Sequence, residues 1–176
     1  TYLHSAVDGH TCLAYTAALS DERAATTVRF FSRTRVFFVA HGITDRERVV
    51  TDNGNNYRGA GFTRTVQALA NRHQRIRLYT PPHNGKVERY NRLMADKVLD
   101  TRACDSEKAR RQPVQVWVNH YNYQSPHAAC GVQPRTHTCR SVSIASCRPA
   151  PSSEAKSPEE ILLYVFISLR ALITPR

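Results

Sequence analysis

Acid is what this 176-residue chain has little of: 14 Asp and Glu stand against 25 Lys and Arg, leaving a formal charge of +11 and a pI near 9.9. That imbalance disfavours a cationic partner and points to a polyanion, nucleic acid before an anionic membrane. Paired cysteines are also missing. Cys12, Cys104, Cys130, Cys139 and Cys147 are odd in number and scattered, without a CxxC or another paired zinc spacing. A disulfide framework and a structural zinc site are therefore both disfavoured, and reduced thiols in a cytoplasmic protein are expected. Long hydrophobic runs are absent as well. The apolar stretch Ile161 to Ile173 is interrupted by Arg170 and falls short of the roughly 20 residues a membrane span requires, so no membrane partner is expected. The first residues carry no basic segment followed by an apolar one, which disfavours a secretory signal, and no internal repeat is visible. What remains, with 41% hydrophobic and 22% charged residues, is the composition of an ordinary globular domain with one core.

Tyr2 to Val7 and Leu13 to Leu19 read as two strands of a hairpin around Asp8-Gly9. Ser20 is then a candidate N-cap, with Asp21 and Glu22 at the positive end of a helix dipole. Ala24, Val28, Phe31 and Phe38 follow at helical spacing, and Gly42 is the expected stop. Arg48 to Thr51 reads as a short strand, Thr63 to Asn71 as a helix, and Arg75 to Tyr79 as a half-buried strand. After the breaker cluster 80–85, Lys86 to about Thr101 reads as a helix burying Val87, Tyr90, Met94 and Val98. Another opens near Ser106 and buries Val114, Trp117, Val118 and Tyr121, with Pro113 expected at a kink or at the start of a second segment. This alternation predicts an α/β fold with helices on the faces of a sheet. Residues 1–140 hold 21 basic and 11 acidic side chains, a net of +10, and form the expected core. Residues 141–160 read as a Ser/Pro-rich linker and 161–176 as a short apolar tail, dispensable for the core.

Two acids stand out. Asp52 ends the run Val49-Val50-Thr51 where an Asn-Gly turn begins, and in open α/β sheets ligands bind beyond the carboxyl ends of strands. Glu88 is alone among Lys86, Arg89 and Arg92 at the start of a helix, a pattern that by itself equally describes an ion pair with Arg92 at i+4. Lys86, Arg89, Arg92 and Lys97 are either phosphate contacts or a solvated helix face. Asn53, Asn55, Asn56 and Tyr57 either shape a ligand-facing loop or belong to a plain turn.

Thr51-Asp52-Asn53-Gly54-Asn55-Asn56-Tyr57, with 35 residues between Asp52 and the Glu88 of Asn84-Gly85-Lys86-Val87-Glu88-Arg89, resembles the integrase core of bacterial insertion-sequence transposases, related to retroviral integrases. The resemblance runs from about Tyr2 to Arg140 and includes Tyr121-Asn122 and Pro126-His127. It implies an RNase H-like fold and an Asp, Asp, Glu triad holding Mg²⁺ or Mn²⁺, in which Asp52 is the second acid and Glu88 the third. It further implies Mg²⁺-dependent DNA cleavage and strand transfer, DNA as partner, room for a homo-oligomer, and DNA contacts through Asn53, Asn55, Tyr57, Lys86, Arg89 and Arg92. Two metal ions would hold the attacking and leaving oxygens of an in-line displacement, and hard carboxylate oxygens suit them.

Departures bear on that reading. The resemblance places the first catalytic Asp on the first strand of the fold, whereas Asp8 matches the end of the second and is expected to be a turn residue rather than a metal ligand. The core is then expected to lack its first strand, with the first ligand upstream of Thr1, as is the helix-turn-helix part that would recognise an element's ends. Thr11-Cys12, Pro81-Pro82-His83 and Ser125 replace polar or cationic residues of the family pattern, which suggests a decayed copy. The leading expectation is a truncated transposase core; the alternative is a non-catalytic nucleic-acid-binding remnant of the same fold.

Overall fold

The computed structural model describes residues 1–44, 48–69, 72–76, 85–99, 107–128, 131–137 and, in its backbone pairing, 162–170. Strands β1 (Tyr2–Asp8) and β2 (Ala14–Leu19) form the expected antiparallel hairpin, with Tyr2 opposite Leu19 and Val7 opposite Ala14. Helix α1 (Ala24–Ala40) follows. Ser20 is not its N-cap: Arg23 holds that position, its backbone N–H donating to Asp21 Oδ1, so the polar residue that organises the start lies one step further on. The buried face is Thr26, Thr27, Phe30, Phe31, Thr34 and Phe38, a slight rotation from the expected one, with Ala24 exposed. The stop is as expected. Gly42 adopts φ 80°, Gly42 N–H donates to Val39 O and Ile43 N–H to Phe38 O, the paired bonds of a Schellman motif.

Strand β3 (Arg48–Thr51) leads through α2 (Asn55–Arg58) and α3 (Ala60–Leu69) to β4 (His73–Arg75). The fourth strand is shorter and earlier than the alternation in 75–79 suggested, because its register is set by parallel pairing of Val49 with His73 and Thr51 with Arg75; residues 77–80 lie outside the described ones. Helix α4 (Gly85–Met94) passes into a π-helical turn at Ala95–Leu99, and α5 (Glu107–Tyr123) is one helix with Pro113 inside it rather than two segments. A two-stranded ribbon, β5 (Pro126–His127) with β6 (Gln133–Pro134), follows.

The remaining strand changes the architecture. Residues Leu162–Arg170 form β7, which lies in the middle of the main sheet, in the order β2-β1-β7-β3-β4. It is antiparallel to β1, with Ser5 opposite Phe166 and Asp8 opposite Leu163, and parallel to β3, with Thr51 opposite Val165. The expected tail over 161–176 is thereby corrected for 162–170, and the sheet has a central strand contributed from the C-terminal part of the chain. Apolar runs of this length read alike as strand, helix or tail until their partners are known. The linker assigned to 141–160 lies outside the described residues.

Helices cover both faces, and the period of two along β1 divides its side chains between them. Ala6 joins Phe30, Phe31, Phe38, Val49, Tyr57, Phe62 and Val66 under α1 and α3, where His4 also meets Phe30 at 5.3 Å between rings. Leu3 and Val7 join Val87, Tyr90, Met94, Val114, Val118 and Tyr121 under α4 and α5. Polar clasps fix the second face: Asn122 bonds both the N–H and the C=O of Ala14, and the hydroxyls of Ser5, Thr16 and Tyr90 form a buried chain of 3.0 and 2.7 Å links.

Two measurements follow from this packing. Among the described residues β7 is the strand that pairs with both β1 and β3, so a chain ending at Arg140 is expected to lose its cooperative thermal transition, read by circular dichroism; an unchanged transition would mean that the sheet does not need β7. Burial holds the His4 imidazole below its ordinary pKa of 6.5, against the opposing bond to the Asp21 carbonyl, and His73 is lowered by burial and then by Arg75. The unfolded chain takes up these protons first, so the stability that the neutral rings contribute is present above about pH 6.5 and is lost as pH falls below it. Urea midpoints are expected to be lower at pH 5.5 than at pH 7.5, and His4→Phe, which keeps the ring against Phe30, should narrow the difference.

Candidate nucleic-acid interface

Asp52 follows the last residue of β3, where the chain must turn. Its Oδ1 accepts the Gly54 N–H at 2.8 Å, closing an Asx turn. A Cβ on Gly54 would stand 2.5 Å from Asn56 Oδ1 and 2.9 Å from Asp52 Oδ1, so this turn takes glycine because of close approach. Burial raises the Asp52 carboxyl above its ordinary value, the Gly54 N–H opposes this, and the negative charge of Glu22 adds to it. Glu22, at the approach to α1, is thus an acidic neighbour of Asp52 that sequence reading passed over as a helix-dipole residue.

Asp8 lies elsewhere. Its Oδ2 accepts from the N–H groups of His10 and Thr11 and from the Thr11 hydroxyl, which ties off the β1–β2 turn. In the sheet Asp8 is level with Leu163 and hence with Val49, while Asp52 lies one residue beyond Thr51 and Val165. That is three residues along the strands and two strands across, roughly 10 Å in each direction, too far for a shared metal pair. Glu88 is exposed on the first turns of α4. Among the described residues no three His, Cys, Asp or Glu side chains gather around a possible cation. The residues that are described therefore do not fit the two-metal carboxylate site implied by the resemblance.

The cations are better organised. Lys86, Arg89 and Arg92 are exposed along α4, and Lys86 Nζ reaches the Gly9 carbonyl beside the Asp8 turn. His127 is lowered by partial burial and then by the charges of Arg135, Arg89 and Lys86, so these four groups share one neighbourhood. Arg135 is itself buried, donating to the Tyr121 carbonyl at 2.7 Å with its guanidinium 3.6 Å from the Tyr121 ring centre. It is a structural cation, whereas Lys86 and Arg89 face solvent.

Of the other expected DNA contacts, Asn55 is exposed at the start of α2, but Asn53 spends its amide nitrogen on the Ile76 carbonyl at 2.8 Å. Tyr57 is corrected outright: at 1% exposure, with its ring 5.1 Å from Phe62, it is a core residue. Its neighbours Asn55 and Asn56 made it look like part of a polar loop, and only the fold of α2 back onto α3 buries it.

Asn91 gave no signal in the sequence. It sits on the buried face of α4, 5% exposed, and neither its amide nitrogen nor its oxygen has a hydrogen-bond partner. An unpaired buried amide costs about 1–3 kcal/mol. Replacing it with Leu, close in shape, is accordingly expected to raise the thermal midpoint by a few degrees, measured by calorimetry; a fall would mean that the amide finds a partner in solution.

Residues 69–134 match the family model described as "Integrase core domain", a span that holds Glu88, Lys86, Arg89 and Arg92 but neither Asp52 nor Arg135. An uncharacterized 39.2 kDa protein of insertion element IS476 from Xanthomonas euvesicatoria is 30% identical over 86 residues, which is 49% of this chain and 25% of that protein. The chain thus spans about a quarter of the length of this insertion-element relative. Among solved structures, the intasome of simian T-cell lymphotropic virus in complex with PP2A regulatory subunit B56 gamma contains a similar chain, with TM-score 0.64, 22% identity, and coverage of 88% of this chain and 52% of that one. The catalytic core domain of BIV integrase gives TM-score 0.62 at 14% identity, covering 80% and 86%. The catalytic core of HTLV-2 integrase, in complex with magnesium, gives 0.59 at 17%, covering 77% and 83%.

Proposed function

We propose that this chain, which resembles integrase-core transposases and has the RNase H-like α/β fold of retroviral integrase cores, is the DNA-handling core of an insertion-element transposase, and that as folded it holds DNA without cutting it. The observation that carries the reading is the solvent-facing pair Lys86 and Arg89, packed close enough to His127 and Arg135 for their charges to act together. Such a cluster suits phosphate oxygens, which position a duplex without reading its sequence. Arg92 extends the line along α4, and Asn55 offers an amide at the Asp52 turn.

DNA integration is the general function of the family, and it calls for a third carboxylate beside Asp52 and Glu88. Among the described residues none joins them: Asp8 is too far away, and β7 reads Leu-Leu-Tyr-Val-Phe-Ile-Ser-Leu-Arg, without an acid. A divalent metal would supply charge to stabilise the in-line displacement, and most of the acceleration in phosphoryl transfer comes from such positioning and electrostatics. Loss of one ligand therefore removes the reaction rather than slowing it modestly. This favours the non-catalytic reading for the chain in its present strand arrangement. A copy-to-copy assembly, as in the trimeric form of the HTLV-2 core, fits the same reading. Among the described residues no helix is long and apolar enough to cross a membrane.

Binding to duplex DNA is expected to be weak, sequence-tolerant and steeply salt-dependent. With about five phosphates neutralised, log K should fall with log salt at a slope near −4.5, and Lys86→Gln or Arg89→Gln should each flatten it by about 0.9. A flat salt response removes the reading. The same preparations should show no Mg²⁺- or Mn²⁺-dependent nicking on a gel; nicking that disappears in both Asp52→Asn and Glu88→Gln would restore the catalytic one.

A further inference from the structure

On the α1 side of the sheet lies a cavity that the Lys86 and Arg89 cluster does not touch. It measures about 470 Å³ and opens where β2 ends, between residues 19–21 on one side and Thr26, Arg29 and Arg33 of α1 on the other. That volume falls within the roughly 300–1,000 Å³ of small-ligand sites. Leu19 pairs with Tyr2, at the opposite end of β1 from Asp8 and from the Gly9 carbonyl that Lys86 reaches, so the cavity stands on the order of 20 Å along the strands from that cluster and across the sheet from α4. Its rim is held in place. The Asp21 carbonyl accepts from His4 Nε2 at 2.9 Å, and Asp21 Oδ1 accepts the Arg23 N–H at 2.9 Å.

Arg29 and Arg33 stand one turn apart on α1, both are exposed, and among the described residues neither makes an ion pair. Like charges at this spacing repel, and an anion between them removes the repulsion. Asp21 is the opposing charge: the Thr26 hydroxyl first, then the Arg23 N–H, hold its carboxyl below the ordinary value, so it is ionised at neutral pH. Ser20 Oγ lies 3.5 Å from Asp21 Oδ2, a link long enough to yield to a ligand, whereas Ser32 gives its hydroxyl proton to the Val28 carbonyl.

We propose that this cavity is a binding site for a phosphate monoester, free or at the 5′-phosphorylated end of a nucleic-acid strand, with the phosphate between Arg29 and Arg33 and the body of the ligand against Leu19 and Asp21. A monoester carries a charge of about −1.5 to −2 near pH 7 and three terminal oxygens, enough for two guanidinium forks. A backbone diester has one charge and two free oxygens, which a single fork meets. Asp21 selects the body, because it repels a bare phosphate and accepts from a hydroxyl or amino group, as an acidic residue does at a ribose. None of this requires the α4 cluster to bind DNA, so failure of either reading leaves the other standing.

The full chain is to be titrated with deoxyadenosine 5′-monophosphate, deoxyadenosine and inorganic phosphate, followed by the arginine Nε–Hε signals in NMR. The monophosphate is expected to move the Arg29 and Arg33 signals, deoxyadenosine to leave them in place, and inorganic phosphate to bind about tenfold more weakly than the monophosphate. Arg29→Gln and Arg33→Gln should each weaken binding about tenfold or more, the worth of charge-assisted hydrogen bonds, while Arg35→Gln, exposed on the same helix but outside the cavity wall, leaves it unchanged. Asp21→Asn retains an oxygen for the Arg23 N–H and should close the gap between the monophosphate and inorganic phosphate. In a chain carrying Lys86→Gln and Arg89→Gln, tighter binding of a 5′-phosphorylated single strand than of its 5′-hydroxyl form identifies a strand end as the ligand; equal binding of the two strands beside tight monophosphate binding identifies a free monoester. Arg29 and Arg33 signals that neither the monophosphate nor the phosphorylated strand moves, deoxyadenosine matching its monophosphate, or an equal loss in Arg35→Gln would each overturn the proposal.

Discussion

The sheet depends on backbone pairing that the chain order does not announce. β1 and β2 make one hairpin and β3 and β4 one parallel pair, and among the described residues these two units are not paired with each other directly. β7 supplies both missing ladders, antiparallel on one edge and parallel on the other. Everything above and below rests on that junction: the core under α1 and α3 draws Ala6 from β1 and Val49 from β3, and would divide if the strands parted. A central strand drawn from so far along the sequence makes closure slow and costly in chain entropy, yet once formed it is paired along both of its edges.

How much of this was legible follows from where the signals lay. Helix α4 was readable because Val87, Tyr90, Met94 and Val98 repeat at three and four, and all four are buried. Asp52 was readable because a β-branched run ends at an Asn-Gly turn. The hairpin, Gly42 and the covered faces were local patterns with local causes. Tyr57 was misread because its neighbours are polar and its burial is decided by Phe62, several residues on. β7 was misread because nine residues with no polar alternation carry no information about partners. Its partners are β1, at the far end of the chain, and β3, and pairing at such separation leaves no mark in either segment.

The two chemically important ends of the domain are set by different physics. At the Asp52 end, an acid is half-buried in a turn and sits near another acid, so its charge is disfavoured as the chain stands. At the α4 end, burial and then the charges of Arg135, Arg89 and Lys86 act on His127 and hold its imidazole toward the neutral form, with Lys86 and Arg89 exposed to screening solvent. A polyanion relieves the second strain directly, whereas the first is relieved by protonation of Asp52 or by a cation bound beside it.

Asn91 connects these considerations. Buried polar groups in folded proteins are nearly always satisfied, so an amide with both ends unmet marks a place where packing and hydrogen bonding disagree. The hydrophobic effect favours filling the central slot with any strand of high apolar content, and β7 qualifies. At Asn91 the same burial is met without the hydrogen bonds its amide requires, so close packing there is bought against a cost of about 1–3 kcal/mol.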